Sequence, residues 1–333
     1  MKKTILALSL LFSLMGILKS FFFVFYDFED VTEFLNFILL DIQPYGFAGM
    51  DIYVPRYLIH GAEGGTVSMG LVNLFFILTF FSGTLIYYFS KYKETKLLGF
   101  NYCLVFLDSI IKIASFILLF NLKKINFYSI SYIVTTLLYI FISYQFLTKE
   151  LNPKGIEDDI QIAENTLENA SNTKRFLNLF IDSFIILVIV FGYIEYADRR
   201  NDIMTFFSYF RRVFGEQFAG IAFFWTVKFI YYLLFESIFK TTPAKFITSC
   251  YITDEEGNSP NFSMILKRTL LRFVPLESFS FLMGKNLHDD YSDTYVINKI
   301  TDRKIENRYT QFLAISFGIL LVVYFTMFKR DFY

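Results

Sequence analysis

Cysteine, histidine and tryptophan are scarce in this 333-residue chain, which has two, two and one of them. Cys103 and Cys250 stand far apart and neither belongs to a C-x-x-C pattern, so no disulfide or thiolate metal site is expected. His60 and His288 alone do not make a histidine-rich metal site. Charge is scarce too, at 19% against the roughly 25% of soluble domains. The 31 basic and 31 acidic residues balance, so net charge says nothing about partners and only its distribution along the chain can. No phosphate loop and no G-x-S-x-G nucleophile elbow is present. The acidic stretch Asp27–Glu63 lacks the spacing of a calcium loop. These absences argue against a cytosolic enzyme, a nucleic-acid binder and a secreted disulfide scaffold, and no cofactor is expected.

What fills the space is apolar. The chain is 55% hydrophobic with 45 Phe and 23 Tyr, and its mean hydropathy is +0.46. A soluble core of this size cannot bury so many rings, so lipid is the natural solvent. A bilayer core about 30 Å thick takes about 20 apolar residues as a helix. Seven runs qualify: Thr4–Phe25, Leu71–Ser90, Leu97–Phe120, Tyr128–Leu147, Phe176–Ile194, Phe218–Phe239 and Phe312–Phe328. They are apolar all round rather than alternating, which favours helices over barrel strands. The fold class is therefore an all-α polytopic membrane protein, with a small inner-face segment around Lys245–Asn258 expected to hold a β-hairpin.

Orientation follows the basic residues. Lys2 and Lys3 place the N-terminus in the cytoplasm, and Lys91, Lys93 and Lys96 mark an inside turn. Lys123 and Lys124, and the four Arg within Tyr196–Gln217, fall in outside segments against the rule. The first run lacks a small-residue cleavage site and continues past Lys19, so it reads as an uncleaved helix rather than a signal peptide. An odd count puts the C-terminus outside, although basic flanks on both sides leave the last helix's direction weakly set. The location expected is the cell membrane, multi-pass. Between Thr148 and Arg175 the chain is polar and acidic, with Asn152-Pro153-Lys154-Gly155 breaking any helix. The division is then 1–148, a four-helix membrane region; 149–174, a cytoplasmic linker; 175–298, a second membrane domain; and 299–333, a terminal helix.

The second domain carries motifs in order: Arg175-Phe-Leu-Asn-Leu-Phe-Ile-Asp182, then Glu236-Ser-Ile-Phe-Lys-Thr-Thr242-Pro-Ala-Lys245, Leu270-Leu-Arg272-Phe-Val-Pro275, and Leu287-His288-Asp289. Over about residues 174–297 the chain resembles the RDD family of bacterial membrane proteins, named for one Arg and two Asp. The resemblance implies that Arg175 and Asp182 are the Arg and first Asp, at the start of and within a transmembrane helix, and that Asp289 is the second Asp. It departs from the family in having Ala244 where Gly is usual and Leu287 where Trp is usual. Its functional implication is transport of unidentified ligands in a bacterial inner membrane.

The residues make demands of their own. Arg175, Asn178 and Asp182 at i, i+3 and i+7 share one helix face. A charged carboxylate at the depth of Asp182 costs on the order of 2.5–3.5 kcal/mol and needs a partner, a proton or water. Lys228, Tyr232, Glu236 and Lys240 form a second stripe, so a Lys228–Asp182 pair is expected, with Glu236 paired to Lys240 or Arg175. Two readings stand open: a site for a small cation or proton, or a polar clamp between helices. His288-Asp289 has no nucleophile fixed near it, and Asp289 is expected to bond the backbone or an Arg such as Arg272. Lys267, Arg268 and Arg272 lie on an amphipathic stretch expected to face anionic lipid. Asp108 and Lys112, at i and i+4 with the acid first, are expected to pair within their helix. The function expected is transport of a small ion or solute through Asp182. The rival is a non-transporting membrane protein that binds a partner or lipid. Neither is an enzyme.

Overall fold

The computed structural model describes residues 2–25, 65–119, 127–150, 169–199, 206–274 and 287–298. The acidic stretch 27–63, the linker 151–168 and the run 312–328 lie outside the described residues. The described chain is mostly helical. It divides into two compact units, one within Met1–Glu150 and one within Leu151–Gln311. Among the described residues three helices are long and apolar enough to cross a bilayer, Lys96–Ala114, Ile130–Lys149 and Tyr209–Phe239.

The first unit contains α1 (Lys2–Phe25), α2 (Gly65–Phe89), α3 (Lys96–Leu119) and α4 (Phe127–Glu150). Its pattern is inverted relative to a soluble bundle. Ser9, Ser13, Thr84, Asn101, Asp108, Ser109, Lys112, Thr136 and Ser143 are buried, whereas Leu11, Leu14, Leu18, Val134, Leu137, Leu138 and Phe141 are exposed. That is the arrangement lipid favours, because apolar side chains gain nothing by leaving hydrocarbon while small and polar ones pack and bond between helices. Most hydroxyls answer to their own helix. Ser9 donates to the Ile5 carbonyl, Ser13 to Ser9 and Thr84 to Phe80. Helices are joined by the Ser9–Tyr102 hydroxyl pair at 2.8 Å, by Thr79 donating to Asn101 at 3.1 Å, and by rings such as Phe12 against Tyr139. Asp108 and Lys112 pair at 2.8 Å, as their spacing predicts. Gly83 allows the tightest approach: a Cβ there would meet the Leu98 backbone nitrogen at 2.9 Å.

The second unit contains α5 (Asn172–Arg199), α6 (Phe206–Phe239), α7 (Pro243–Ile247), β1 (Cys250–Asp254), α8 (Phe262–Leu271), α9 (Leu287–Asp290) and β2 (Thr294–Asn298). α6 is interrupted at Gly215, whose φ of 75 places it in the left-handed region. The Phe207 and Phe210 rings lie 5.5 and 5.6 Å from Phe223. In a straight helix positions 207 and 223 would be about 24 Å apart, so residues 206–214 fold back along the helix beyond the kink. The straight part of α6 runs from Gly215 to Phe239.

The strand at Cys250–Asp254 is present, but it is not one arm of a hairpin. After the turn, in which Asp254 accepts from the Glu256 and Asn258 backbone N–H groups, the chain enters α8. β1 pairs antiparallel with β2, Cys250 opposite Asn298 and Asp254 opposite Thr294. Ala170 donates to the Val296 carbonyl at 2.9 Å, tying the start of α5 to the same ladder. The sheet thus gathers the entry to α5, the exit of α7 and the end of the described chain at one place. Asn261 caps α8 by accepting from the Met264 N–H.

Candidate functional site

Beside that sheet, five elements bring seven charged side chains into the interior: Arg175 and Asp182 from α5, Glu236 from α6, Lys245 from α7, Arg268 and Arg272 from α8 and its end, and Asp289 from α9. None is more than 8% exposed. Arg175, Asn178 and Asp182 share one buried face, as their spacing requires.

Asp289 lies between two guanidinium groups. Its Oδ2 receives Arg175 Nη1 at 2.5 Å, and its Oδ1 receives Arg268 Nη1, which also reaches Thr294 Oγ1 at 2.8 Å. Arg175 Nε donates to the Ala170 carbonyl, fixing the guanidinium against the sheet. Asp289 was expected to bond the backbone or an Arg such as Arg272, and it does bond arginines, though not that one. It takes Arg268, one helical turn earlier, because Arg272 is drawn to another acid. The side chain of His288 lies outside those described.

Glu236 is the second anionic centre. Lys245 Nζ and Arg272 Nη2 both reach its Oε1, at 2.5 and 2.7 Å, and Arg268 Nε stands 3.6 Å from Oε2. Arg272 also lies over the Tyr232 ring at 3.9 Å. The expected pairing with Lys240 or Arg175 does not form. The helix ends at Phe239, and Lys240, with φ of 56, turns to donate to the Ser237 carbonyl. Burial pulls the Lys245 ammonium down to about 8, with Glu236 opposing. Arg268 and Arg272, expected to face lipid headgroups, are instead turned inward to these acids, and Lys267 stays exposed.

Asp182 is held differently. Tyr231 Oη donates to its Oδ1 and Thr242 Oγ1 to its Oδ2, both at 2.7 Å, and the Ala244 N–H reaches Oδ1 at 3.3 Å. The local sequence explains this. Thr242 is extended and caps α7, accepting from the Lys245 N–H, and Pro243 occupies the first helical position where no N–H is needed. The next free N–H belongs to Ala244, and it points at the carboxylate. Residues 241–250 are all buried, so this turn sits inside the unit rather than over it. The expected Lys228–Asp182 pair gives way to these neutral donors, and the Lys228 ammonium lies 5.9 Å from the Phe273 ring centre. Asn178 extends the arrangement by accepting from Thr248 at 2.6 Å.

Sequence reasoning singled out Arg175, Asp182, Glu236 and Asp289 but missed Tyr231, Thr242, Ala244 and Lys245 as their partners. Thr242-Pro243 is a helix-start signature, and it was the available clue that a backbone N–H would face the site. Among the described residues no group of three or more His, Cys, Asp or Glu gathers to hold a metal ion.

No curated protein and no solved structure matches this chain. A family model does, over residues 169–332, which begins at the sheet-bound entry to α5 and runs past Ile297, where the resemblance was expected to end. The back half of this chain is an RDD-family region, in a mostly helical protein of membrane type.

Proposed function

We propose that this protein transports a small ion or solute across the cell membrane, with Asp182 as the group that exchanges charge. The observation that carries the reading is a contrast among the three buried carboxylates of the cluster. Asp289 and Glu236 each contact two or more cations, so neutralising either would strand buried positive charge. Asp182 is hydrogen-bonded by two hydroxyls and one backbone N–H, all neutral. It can take a proton, or a monovalent cation between its oxygens and those of Tyr231 and Thr242, by rotating hydroxyls alone. The seven-span, N-terminus-inside topology belongs to this reading, as do the absence of enzymatic chemistry and of any cofactor. Arg175, with Asp289, holds the start of α5 and so positions Asp182.

A second reading is favoured by the completeness of the same contacts. Three donors already satisfy Asp182, so the RDD residues can serve as fixed clamps in a membrane protein that binds a partner or lipid without transport. Cation-driven proton movement in proteoliposomes separates the two. Under the transport reading sodium, potassium or lithium collapses an imposed pH gradient with the wild-type chain and not with Asp182→Asn. Equal background rates from two folded proteins support the clamp.

A further inference from the structure

α8 is built inside out. Its buried face carries Arg268, Thr269 and Arg272 with Ile265, whereas its outward side carries Phe262, half-buried Leu266 and Leu270 at steps of four, continued by Val274 in the turn that follows and flanked by exposed Ser263 and Lys267. Phe262, Leu270 and Val274 are 59%, 54% and 46% exposed, too much apolar surface for a helix resting on water. Its direction is fixed by its contacts with α6. Arg268 stands at Glu236, Arg272 reaches Glu236 and Tyr232, and Phe273 packs against Phe229 and Trp225 at 6.0 and 5.8 Å. As α8 advances, its partners on α6 recede from the end at Phe239, so the two run antiparallel. Positions 229 and 225 lie about 15 and 21 Å back from that end at 1.5 Å per residue. By Asp289 the chain is again beside Arg268 and Arg175.

We infer that α8 is a re-entrant helix that enters the bilayer beside α6, with Phe262 near the interface and Val274 deep in the hydrocarbon, and that its Phe262–Leu266–Leu270–Val274 stripe is a lipid acyl-chain surface. The occupant is set by two features. The stripe ends beside α6, whose half-exposed Trp225 packs against Phe273 next to Val274, so apolar surface continues from one helix to the other. Arg268 and Arg272 point the other way, into the Glu236 and Asp289 centres, which is where a helix in hydrocarbon must keep them, while the exposed Lys267 has a stem long enough to carry its ammonium back toward the aqueous side. The polar turn at Asp254–Asn258 and the Asn261 cap leave its N-terminus at the aqueous side. The inference rests on α6 crossing the membrane, as the transport reading requires.

The chain's single tryptophan makes the test direct, because Trp225 lies on the exposed face of α6. In liposomes of acyl-brominated phosphatidylcholine, wild-type Trp225 fluorescence is quenched by the lipid and little by aqueous iodide. In a Trp225→Phe background, single tryptophans are placed by Phe262→Trp, Leu270→Trp and Val274→Trp. Brominated-lipid quenching is expected to rise in that order, Val274→Trp matching Trp225, while iodide quenching falls. Three exposed positions are used so that the loss of one variant leaves the gradient readable. Iodide quenching at Leu270→Trp and Val274→Trp, with Trp225 lipid-quenched, overturns the re-entrant helix. Protection of both from either quencher overturns the lipid surface and indicates a covering protein. Iodide access to wild-type Trp225 overturns the membrane reading of α6 itself, and the inference falls with it.

Discussion

The two units bury charge in opposite ways. In the first, Asp108 and Lys112 belong to one helix and answer each other across a single turn, and the surrounding hydroxyls bond their own helices' carbonyls. In the second, Arg175 meets Asp289 across 114 positions and Arg272 meets Glu236 across 36. The lesson concerns sharing. The front bridge spans one helical turn, whereas Glu236 serves Lys245, Arg272 and Arg268 at once, and Arg268 serves Asp289 as well.

The largest effect is therefore expected from Glu236→Ala or Asp289→Ala. Each strands at least two buried cations, and breaking one buried pair already costs about 3–5 kcal/mol. Either variant should fail to give a monodisperse peak in detergent, and wild-type elution of both would break the contrast. Asp182→Asn comes next. It keeps the size of the group and strands no cation, so a cost of about 1–3 kcal/mol from mismatched donors is expected. That should read as a lowered thermal midpoint of a protein that still purifies. Replacing the front pair together, Asp108→Leu with Lys112→Leu, sharpens the comparison, because swapping a whole buried pair for apolar residues is often neutral or stabilising. Its midpoint should lie at or above that of wild type, and a large fall would break the comparison. Gly215→Ala touches the backbone alone. No atom lies within 4 Å of the added Cβ, so only the backbone, at φ 75 and ψ 164, resists, and a lowered thermal midpoint worth about 1–3 kcal/mol is expected.

The same difference in sequence separation decided what could be read in advance. Asp108 with Lys112 follows from helical spacing alone, and Arg175, Asn178 and Asp182 on one face follow from it too. Helix-forming runs were visible because lipid-facing helices are apolar around most of their circumference. Partners supplied by other elements were not visible. Asp182 was matched to Lys228 because both lie on stripes of neighbouring helices, yet the chain beyond α6 returns through Thr242 and Pro243 and brings an N–H and a hydroxyl to the carboxylate first. A β-containing segment around Lys245–Asn258 was legible, and its strand lies at Cys250–Asp254. The strand's partner was not, because the turn at Asp254–Asn258 looks like a hairpin turn while the chain beyond it is capped as a helix by Asn261. Arg268 and Arg272 show the converse error: an amphipathic pattern gives two faces without saying which one is wet, and in a bilayer the charged face is the inner one.

The central claim is that Asp182, alone among the cluster's buried carboxylates, can change its charge without unbalancing its neighbours. Proton flux driven by sodium, potassium or lithium into proteoliposomes tests it, with wild type, Asp182→Asn and the Asp108→Leu, Lys112→Leu variant measured side by side. The account predicts cation-dependent collapse of the pH gradient in wild type and in the front-unit variant, and loss of it in Asp182→Asn. Undiminished flux in a folded Asp182→Asn protein, or no flux from any of the three, would contradict it.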